Sequence, residues 1–213
     1  MEAAQLDAVA QLAQGIAELG MDVPPACQQR LLTYLALLQK WNKIHNLTAI
    51  RTPDAMVAGH LLDSLSVFAH LPEGALLDVG SGGGLPGIPL AICAPERPVT
   101  LLDSGQKKTA FLRQAVAEVG LRNVAVVNER AERWRPGHTF DVITARALSE
   151  IGALLDWSGH LLSPCGVFAA MKGVYPAGEI ARLPPGFRVR SVVPLHVPYL
   201  AAERHLVLIE RAP

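Results

Sequence analysis

The chain has 213 residues, and half of them are hydrophobic. Equal numbers of acidic and basic side chains give a formal net charge of zero, so the net charge does not indicate a nucleic-acid partner. No apolar stretch reaches the roughly 18 residues of a membrane span, and the acidic N-terminus lacks the basic start of a signal peptide. Three widely spaced cysteines form neither a zinc pattern nor a disulfide framework, so we expect a cytoplasmic protein without a metal.

The first 70 residues favour helices. Apolar residues recur at helical spacing through residues 6–19 and again through 31–41. Thr52 and Pro53 are typical of an N-cap and first helical position, so a third helix should run from there to about His70. We therefore divide the chain into an N-terminal helical extension, residues 1–72, packed on a core domain, residues 73–213.

From residue 75, short apolar runs alternate with helical stretches, and seven strands are predicted. They are Ala75–Val79, Val99–Asp103, Val124–Asn128, Phe140–Thr144, Gly166–Met171, Val189–Val197 and His205–Glu210. Continuous apolar strands separated by helices indicate a parallel sheet covered on both faces. The last two strands have no long helix between them, which predicts a hairpin with one antiparallel strand. The fold class is therefore α/β, with a mostly parallel seven-stranded sheet.

The stretch LLDVGSGGGLPG at residues 76–87 predicts a turn that brings backbone close to a ligand. It is not a Walker A loop, because Ile88 and Pro89 follow Gly87 where Lys-Ser/Thr is needed. The turn has dinucleotide spacing, and Asp103 follows about 20 residues later, where an acid binds ribose hydroxyls. Asp78 would repel a pyrophosphate but attract a cation, so the pattern favours S-adenosylmethionine (SAM), with its sulfonium and ammonium groups, over NAD. That Asp78 only caps the turn remains an alternative.

Further motifs accompany this turn in order along nearly the whole chain. They are Trp41-Asn-Lys-x-x-Asn46-Leu-Thr, His60-Leu-Leu-Asp63-Ser, Leu102-Asp103-Ser-x-x-Lys107-Lys108, Arg146-Ala, Lys172-Gly and Glu203-Arg204-His205-Leu. The set resembles the RsmG (GidB) family of bacterial rRNA methyltransferases. This resemblance implies a class I, Rossmann-like methyltransferase fold with SAM as cofactor. It also implies methylation of N7 of guanine 527 of 16S rRNA in the small ribosomal subunit. We expect a monomer without a membrane partner.

The resemblance also implies which residues hold the cofactor. In the glycine-rich turn they are Gly80 and Leu85, and we add Asp78, Gly82 and Gly84 from the same segment. Asp103 would bind the ribose, and Ala131 with Glu132 would meet the adenine. We expect Arg146 to reach the cofactor as well.

Four basic residues follow or precede strands at the edge where such sheets bind ligands: Arg130, Arg146, Lys172 and Arg204. We predict that Arg146, Lys172 and Arg204 act in catalysis, and that Arg130, Lys172 and Arg204 bind RNA. Family pattern adds Asn46, His60 and Asp63, and we assign Asn46 and His60 to the RNA. For each basic residue a structural salt bridge is the alternative. A helix cap is the alternative for Asn46, and a satisfied buried histidine for His60.

Guanine N7 carries a lone pair and no proton, so it can attack the sulfonium methyl directly without a general base. Thr144-Ala-Arg146-Ala stands where amino-group methyltransferases carry Asn/Asp-Pro-Pro-aromatic, which argues against that chemistry. A small-molecule methyltransferase and a non-catalytic SAM-binding ribosome factor remain alternatives. We expect Trp134 and Trp157 to serve packing rather than base stacking.

Overall fold

A central sheet of seven strands organises the computed structural model, which describes residues 2–147 and 150–212. The strands are β1 (Leu76–Val79), β2 (Val99–Asp103), β3 (Val124–Asn128), β4 (Phe140–Arg146), β5 (Leu162–Lys172), β6 (Phe187–Pro194) and β7 (His205–Arg211). The α-helices are α1 (Glu2–Glu18), α2 (Pro25–His45), α3 (Pro53–Met56), α4 (Asp63–Leu65), α5 (Gly87–Cys93), α6 (Gln106–Val119), α7 (Ile151–Ser158) and α8 (Ala177–Ile180). No helix in these ranges combines the length and apolarity needed to cross a membrane.

The strand order is β3-β2-β1-β4-β5-β7-β6. Neighbours among the first five strands pair in parallel, whereas β7 lies antiparallel between β5 and β6. The predicted mostly parallel sheet with one antiparallel strand is confirmed. Because Lys172 at the end of β5 pairs with His205 at the start of β7, the carboxyl ends of β1–β5 and the start of β7 share one edge of the sheet.

The predicted third helix is present as a succession of short helical pieces. Pro53 opens α3, but the Thr52 side chain makes no capping hydrogen bond. Between α3 and α4 the chain forms a π-helix over Val57–Leu62, all of it buried, and a 3₁₀ turn ends the segment at Phe68–His70. Such π-helical stretches are rare and frequently occur at functional sites. This one contacts Arg146 at the carboxyl end of β4 through Gly59 and His60.

The helical extension shares a hydrophobic core with one face of the sheet. Leu12, Leu38 and Leu62 belong to the same buried cluster as Ile88 of α5 and Leu112 of α6. A second cluster packs α7 against the opposite face. The core therefore continues across residue 72, and the division of the chain at that point stays a prediction from sequence pattern.

Candidate active site

Two cavities open at the carboxyl edge of the sheet. The first, of about 180 Å³, lies over the ends of β1, β2 and β3. The second, of about 620 Å³, lies between the end of β4, the end of β5 and the helical extension. Among the described residues, Gly80 in the glycine-rich turn lines both. A ligand in one cavity would therefore meet a ligand in the other above this residue.

The first cavity is built around Asp103. Its carboxylate is 5% exposed and accepts hydrogen bonds from the backbone amides of Gly82 (2.9 Å) and Gly105 (2.8 Å). Each carboxylate oxygen keeps lone-pair capacity for a further donor, and the residue lines the cavity. Ala131 and Glu132 line the opposite side, beyond β3. The arrangement suits a ribose over Asp103 and a planar base beside Ala131.

The glycine-rich turn has backbone conformations that its sequence permits. Gly80, Gly82 and Gly84 have φ values of 68°, 55° and 87°, in the left-handed region that glycine adopts without strain. The Tyr34 hydroxyl of α2 donates a hydrogen bond to the Gly83 carbonyl, so the extension helps to hold the turn. Gly82 and Leu85 line the second cavity, whereas Gly84 packs against Ile88 and Leu112.

The second cavity contains a buried ionic cluster centred on Asp63, whose side chain is 2% exposed. Asp63 Oδ2 accepts a 2.8 Å hydrogen bond from Arg146 Nη1, and Oδ1 accepts one of 2.7 Å from Arg204 Nε. Arg146 also donates to the carbonyl of Gly59 in the π-helix, at 2.8 Å. With two arginines and one aspartate, this cluster keeps one surplus positive charge facing the cavity.

His60 completes the wall behind this cluster. Its Nδ1 lies 2.9 Å from the Gly59 carbonyl and 3.3 Å from Arg146 Nη2, and its Nε2 lies 2.8 Å from Thr48 Oγ1. The shorter Nδ1 contact favours Nδ1–H as donor to Gly59, which leaves Nε2 to accept from Thr48. Burial, together with the charge of Arg146, lowers the pKa of His60 to about 4. The imidazole is therefore neutral at pH 7.

Lys172 lines the same cavity and is held by a carboxylate from α8. Its Nζ donates a 2.7 Å hydrogen bond to Glu179 Oε2, which also accepts one of 2.6 Å from the amide of Ile151 at the start of α7. Partial burial opposes ionisation of Glu179, but these two donors and the lysine charge outweigh it and lower the glutamate pKa. The pair fixes Lys172 at the cavity wall.

Comparison with known proteins shows to which family the chain belongs. The family model of rRNA small subunit methyltransferase G (GidB) matches residues 27–207. The ribosomal RNA small subunit methyltransferase G of Aromatoleum aromaticum is 55% identical over 208 residues, which span 95% of this chain and 98% of the relative. This chain belongs to the rRNA small subunit methyltransferase G family.

Solved methyltransferase structures share the fold at low sequence identity. Coclaurine N-methyltransferase bound to N-methylheliamine and SAH aligns with a TM-score of 0.60 at 12% identity, covering 97% of this chain and 94% of that one. A SAM-dependent methyltransferase from Aquifex aeolicus aligns with a TM-score of 0.57 at 21% identity, covering 82% and 97% respectively. The class I methyltransferase fold and the use of SAM, both predicted from the sequence, are confirmed for this family member.

Asp78 lies elsewhere than the sequence interpretation placed it. Its carboxylate is fully buried below the turn, where it accepts hydrogen bonds from the Gly87 amide (3.1 Å) and the Thr144 hydroxyl (3.3 Å). It lines neither cavity, and burial raises its pKa to about 7. The geometry is that of a cap for the turn, the alternative reading of this residue, rather than of a carboxylate facing a bound cation.

Two residues assigned to RNA lie apart from the Asp63 cluster. Arg130 is 63% exposed and lines the first cavity, where it pairs with Glu132 at 3.6 Å. Asn46 ends α2 in a left-handed conformation and accepts a hydrogen bond from Arg51, and the four residues after it, 47–50, line the second cavity instead. The RNA assignment of both residues stays a prediction, and neither adjoins Arg146 or Arg204.

Sequence reasoning did not find three contributors to the site. Glu179 and Tyr34 act through side-chain contacts with elements far away in sequence, which no local motif signals. Trp157, for which we expected only packing, is 37% exposed and lines the first cavity. No local sequence signal places this residue, near the C-terminal end of α7, at the cavity.

The residues of the first cavity fit SAM. Gly80 and Ala131 have small or no side chains, so a ligand can come close to their backbone. Asp103 presents a buried carboxylate to a ribose. A dinucleotide would also place a ribose on an acid at the end of the second strand, so membership of the methyltransferase family, rather than this cavity, favours SAM over NAD.

Proposed function

We propose that this protein transfers the methyl group of SAM to N7 of a guanine in the 16S rRNA of the small ribosomal subunit. The observation that carries the proposal is that a small cavity built around the buried Asp103 carboxylate meets a larger, positively charged cavity at Gly80. Membership of the rRNA small subunit methyltransferase G family supports the same reaction. From the sequence motifs shared with the RsmG (GidB) family, we propose guanine 527 as the target.

Residues of the first cavity would hold the cofactor. Asp103 would accept hydrogen bonds from ribose hydroxyls, and the backbone around Ala131 and Glu132 would contact the adenine edge. The methionine portion would pass Gly80 and reach Gly82 and Leu85 on the adjoining wall of the second cavity. The aromatic face of Trp157 would close the first cavity. When bound, SAM supplies a methyl group activated by its positively charged sulfur.

Residues of the second cavity would present the target base. Arg146 and Arg204 are oriented by the same carboxylate, and the surplus positive charge of their cluster attracts RNA phosphates or the guanine O6 and N7 acceptors. Lys172, fixed by Glu179, adds a donor on the adjoining wall. Since guanine N7 has no proton to lose, orientation and proximity are the chain's main contributions.

The neutral state of His60 agrees with this mechanism. A histidine with a pKa of about 4 is not an imidazolium at pH 7 and so cannot act as a general acid, and its two ring nitrogens already contact Thr48 and the Gly59 carbonyl. We assign it to shaping the cavity. We also expect a monomer acting in the cytoplasm, where ribosomal subunits assemble.

The test is methyl transfer from labelled SAM to small subunits isolated from cells that lack this enzyme, with the modified base mapped by chemical cleavage at 7-methylguanine. We expect label at a single guanine N7. Subunits from cells that contain the enzyme are the matched control and should accept no label. Binding of SAM without transfer to subunits or to free rRNA would contradict the proposal and favour a small-molecule or non-catalytic role.

A further inference from the structure

The loop that follows β5 exposes two large apolar side chains beside the second cavity. Lys172 and Gly173 line the cavity, and the next two residues, Val174 and Tyr175, are 71% and 53% exposed. Two adjacent exposed apolar side chains beside a basic cavity can serve as a contact surface for a partner. This pair is therefore a candidate contact surface for whatever enters the cavity.

The Tyr175 ring is supported by one neighbouring side chain, which is itself held in place. Its ring packs perpendicular to the His205 imidazole, with the centroids 5.8 Å apart and the planes at 82°. His205 Nδ1 in turn donates a 2.8 Å hydrogen bond to the carbonyl of Gly173, which closes the loop back on β7. This contact limits the motion of the ring, while 53% of the residue stays exposed to a flat partner.

The neighbours of this ring define the chemistry of that partner. Lys172 lies three residues before it, and Arg204 directly precedes the histidine that supports it. An aromatic ring beside a cavity that is lined by cations is a combination that proteins use for unpaired nucleic-acid bases, which stack on the ring while the backbone meets the charges.

We propose that Tyr175 is a stacking platform for an unpaired base that flanks the target guanine in the RNA. This inference rests on the proposed function and deepens it. The target base itself must reach the meeting point of the two cavities at Gly80, whereas Tyr175 lies outside the residues that line the cavity. The ring therefore receives a neighbouring base and sets which RNA conformation enters.

The test compares Tyr175→Ala with Tyr175→Phe in the methyl-transfer assay, with unmethylated small subunits as substrate. Loss of one stacked base should raise KM for subunits about 5- to 100-fold in Tyr175→Ala. Tyr175→Phe keeps the ring and should stay within about twofold of the wild type. The dissociation constant for S-adenosylhomocysteine (SAH), measured by calorimetry, should be unchanged in both variants, which also verifies that they fold.

Tyr199→Ala is the matched control. Tyr199 is 49% exposed, close to the exposure of Tyr175, but it lies in the charge field of Glu18 at the end of α1, and no residue in 195–203 lines the second cavity. We expect its kinetics to match those of the wild type. An unchanged KM in Tyr175→Ala, an equal loss in Tyr175→Phe, or an equal loss in Tyr199→Ala would overturn the inference. A wild-type enzyme that transfers no methyl group would instead overturn the proposed function.

Discussion

Asp63, at the start of α4, holds Arg146, at the end of β4, through a 2.8 Å hydrogen bond between Oδ2 and Nη1. The same carboxylate holds Arg204 through its other oxygen. One buried acid on the helical extension thereby orients two cations contributed by the sheet. The extension is thus part of the candidate RNA-binding cavity and not only a cover for the core.

Asp63→Asn should destabilise the protein and slow methyl transfer. The change leaves two partly buried arginines without their counter-ion, and removing one partner of a buried pair costs about 3–5 kcal/mol. At about 2–4 °C per kcal/mol, the thermal midpoint Tm should fall by at least about 6 °C.

Glu150→Gln is the control for this substitution. It removes the exposed 3.7 Å pair of Glu150 with Arg182, whose side chains are 71% and 67% exposed. Such surface pairs contribute little, so Tm should change by less than about 2 °C. Equal shifts of Tm in the two variants would show that Asp63 has no special structural importance.

Asp103→Ala should weaken SAH binding by about 10- to 100-fold, because it removes a carboxylate that serves both the glycine-rich turn and the proposed ribose site. Isothermal titration calorimetry measures this directly. Asp141→Ala is the matched control, since Asp141 also accepts a backbone amide hydrogen bond, from Ala75 at 2.9 Å, but lines neither cavity. If both substitutions lowered the SAH affinity equally, the effect would come from a general loss of structure in the sheet and not from a ribose contact of Asp103.

Arg204→Ala should lower kcat/KM for methyl transfer at least about 10-fold while leaving SAH affinity unchanged, because Arg204 lines the second cavity and not the first. Arg188→Ala offers a comparison on β6, where the arginine pairs with Glu210 at 2.6 Å away from both cavities. We expect Arg188→Ala to retain full activity. Parallel losses of SAH binding and transfer in Arg204→Ala would contradict an RNA role for this residue.

His60 should make the protein more stable as the pH rises from 4 to 6.5. Its pKa falls from 6.5 to about 4 in the folded state, so between these values the unfolded chain binds more protons on this residue. His60→Gln removes that dependence. Urea unfolding at both ends of this window should show wild type gaining free energy of unfolding relative to the variant as the pH rises. If the difference in free energy of unfolding between wild type and His60→Gln were the same at both pH values, the neutral state assigned to the His60 imidazole would be wrong.

Asp78 should make the protein less stable as the pH rises, which is opposite to the effect of His60. Burial raises its pKa from 3.8 to about 7, so the folded protein binds more protons on this residue and its contribution to stability is lost as the pH rises through 7. Asp78→Asn cannot ionise. Relative to this variant, wild type should lose free energy of unfolding between pH 4 and 7, measured by the same urea titrations.

The sequence predicted the parts of the site that depend on local pattern. The bounds of β2 and β3 were predicted correctly, as was the glycine-rich turn between β1 and α5. These features follow from apolar runs and glycine conformation, which neighbouring residues largely determine. The placement of Asp103 at the cavity then follows from its position at the end of a parallel strand.

Contacts between distant elements were beyond such reasoning. The pattern at Asp78 indicated a negative charge near the turn but not the direction of its side chain, which the Gly87 amide and Thr144 fix. The helix predicted from Pro53 contains a π-helical stretch that helical periodicity does not distinguish from an α-helix. Glu179 reaches Lys172 only because α8 packs beside β5 and α7.

Gly80 brings two separately opening cavities together at a residue without a side chain. In the proposed reaction the adenosine of SAM and the RNA would therefore enter from different sides of this residue, and we expect that neither would have to leave before the other. Kinetically, this geometry corresponds to random-order binding and release.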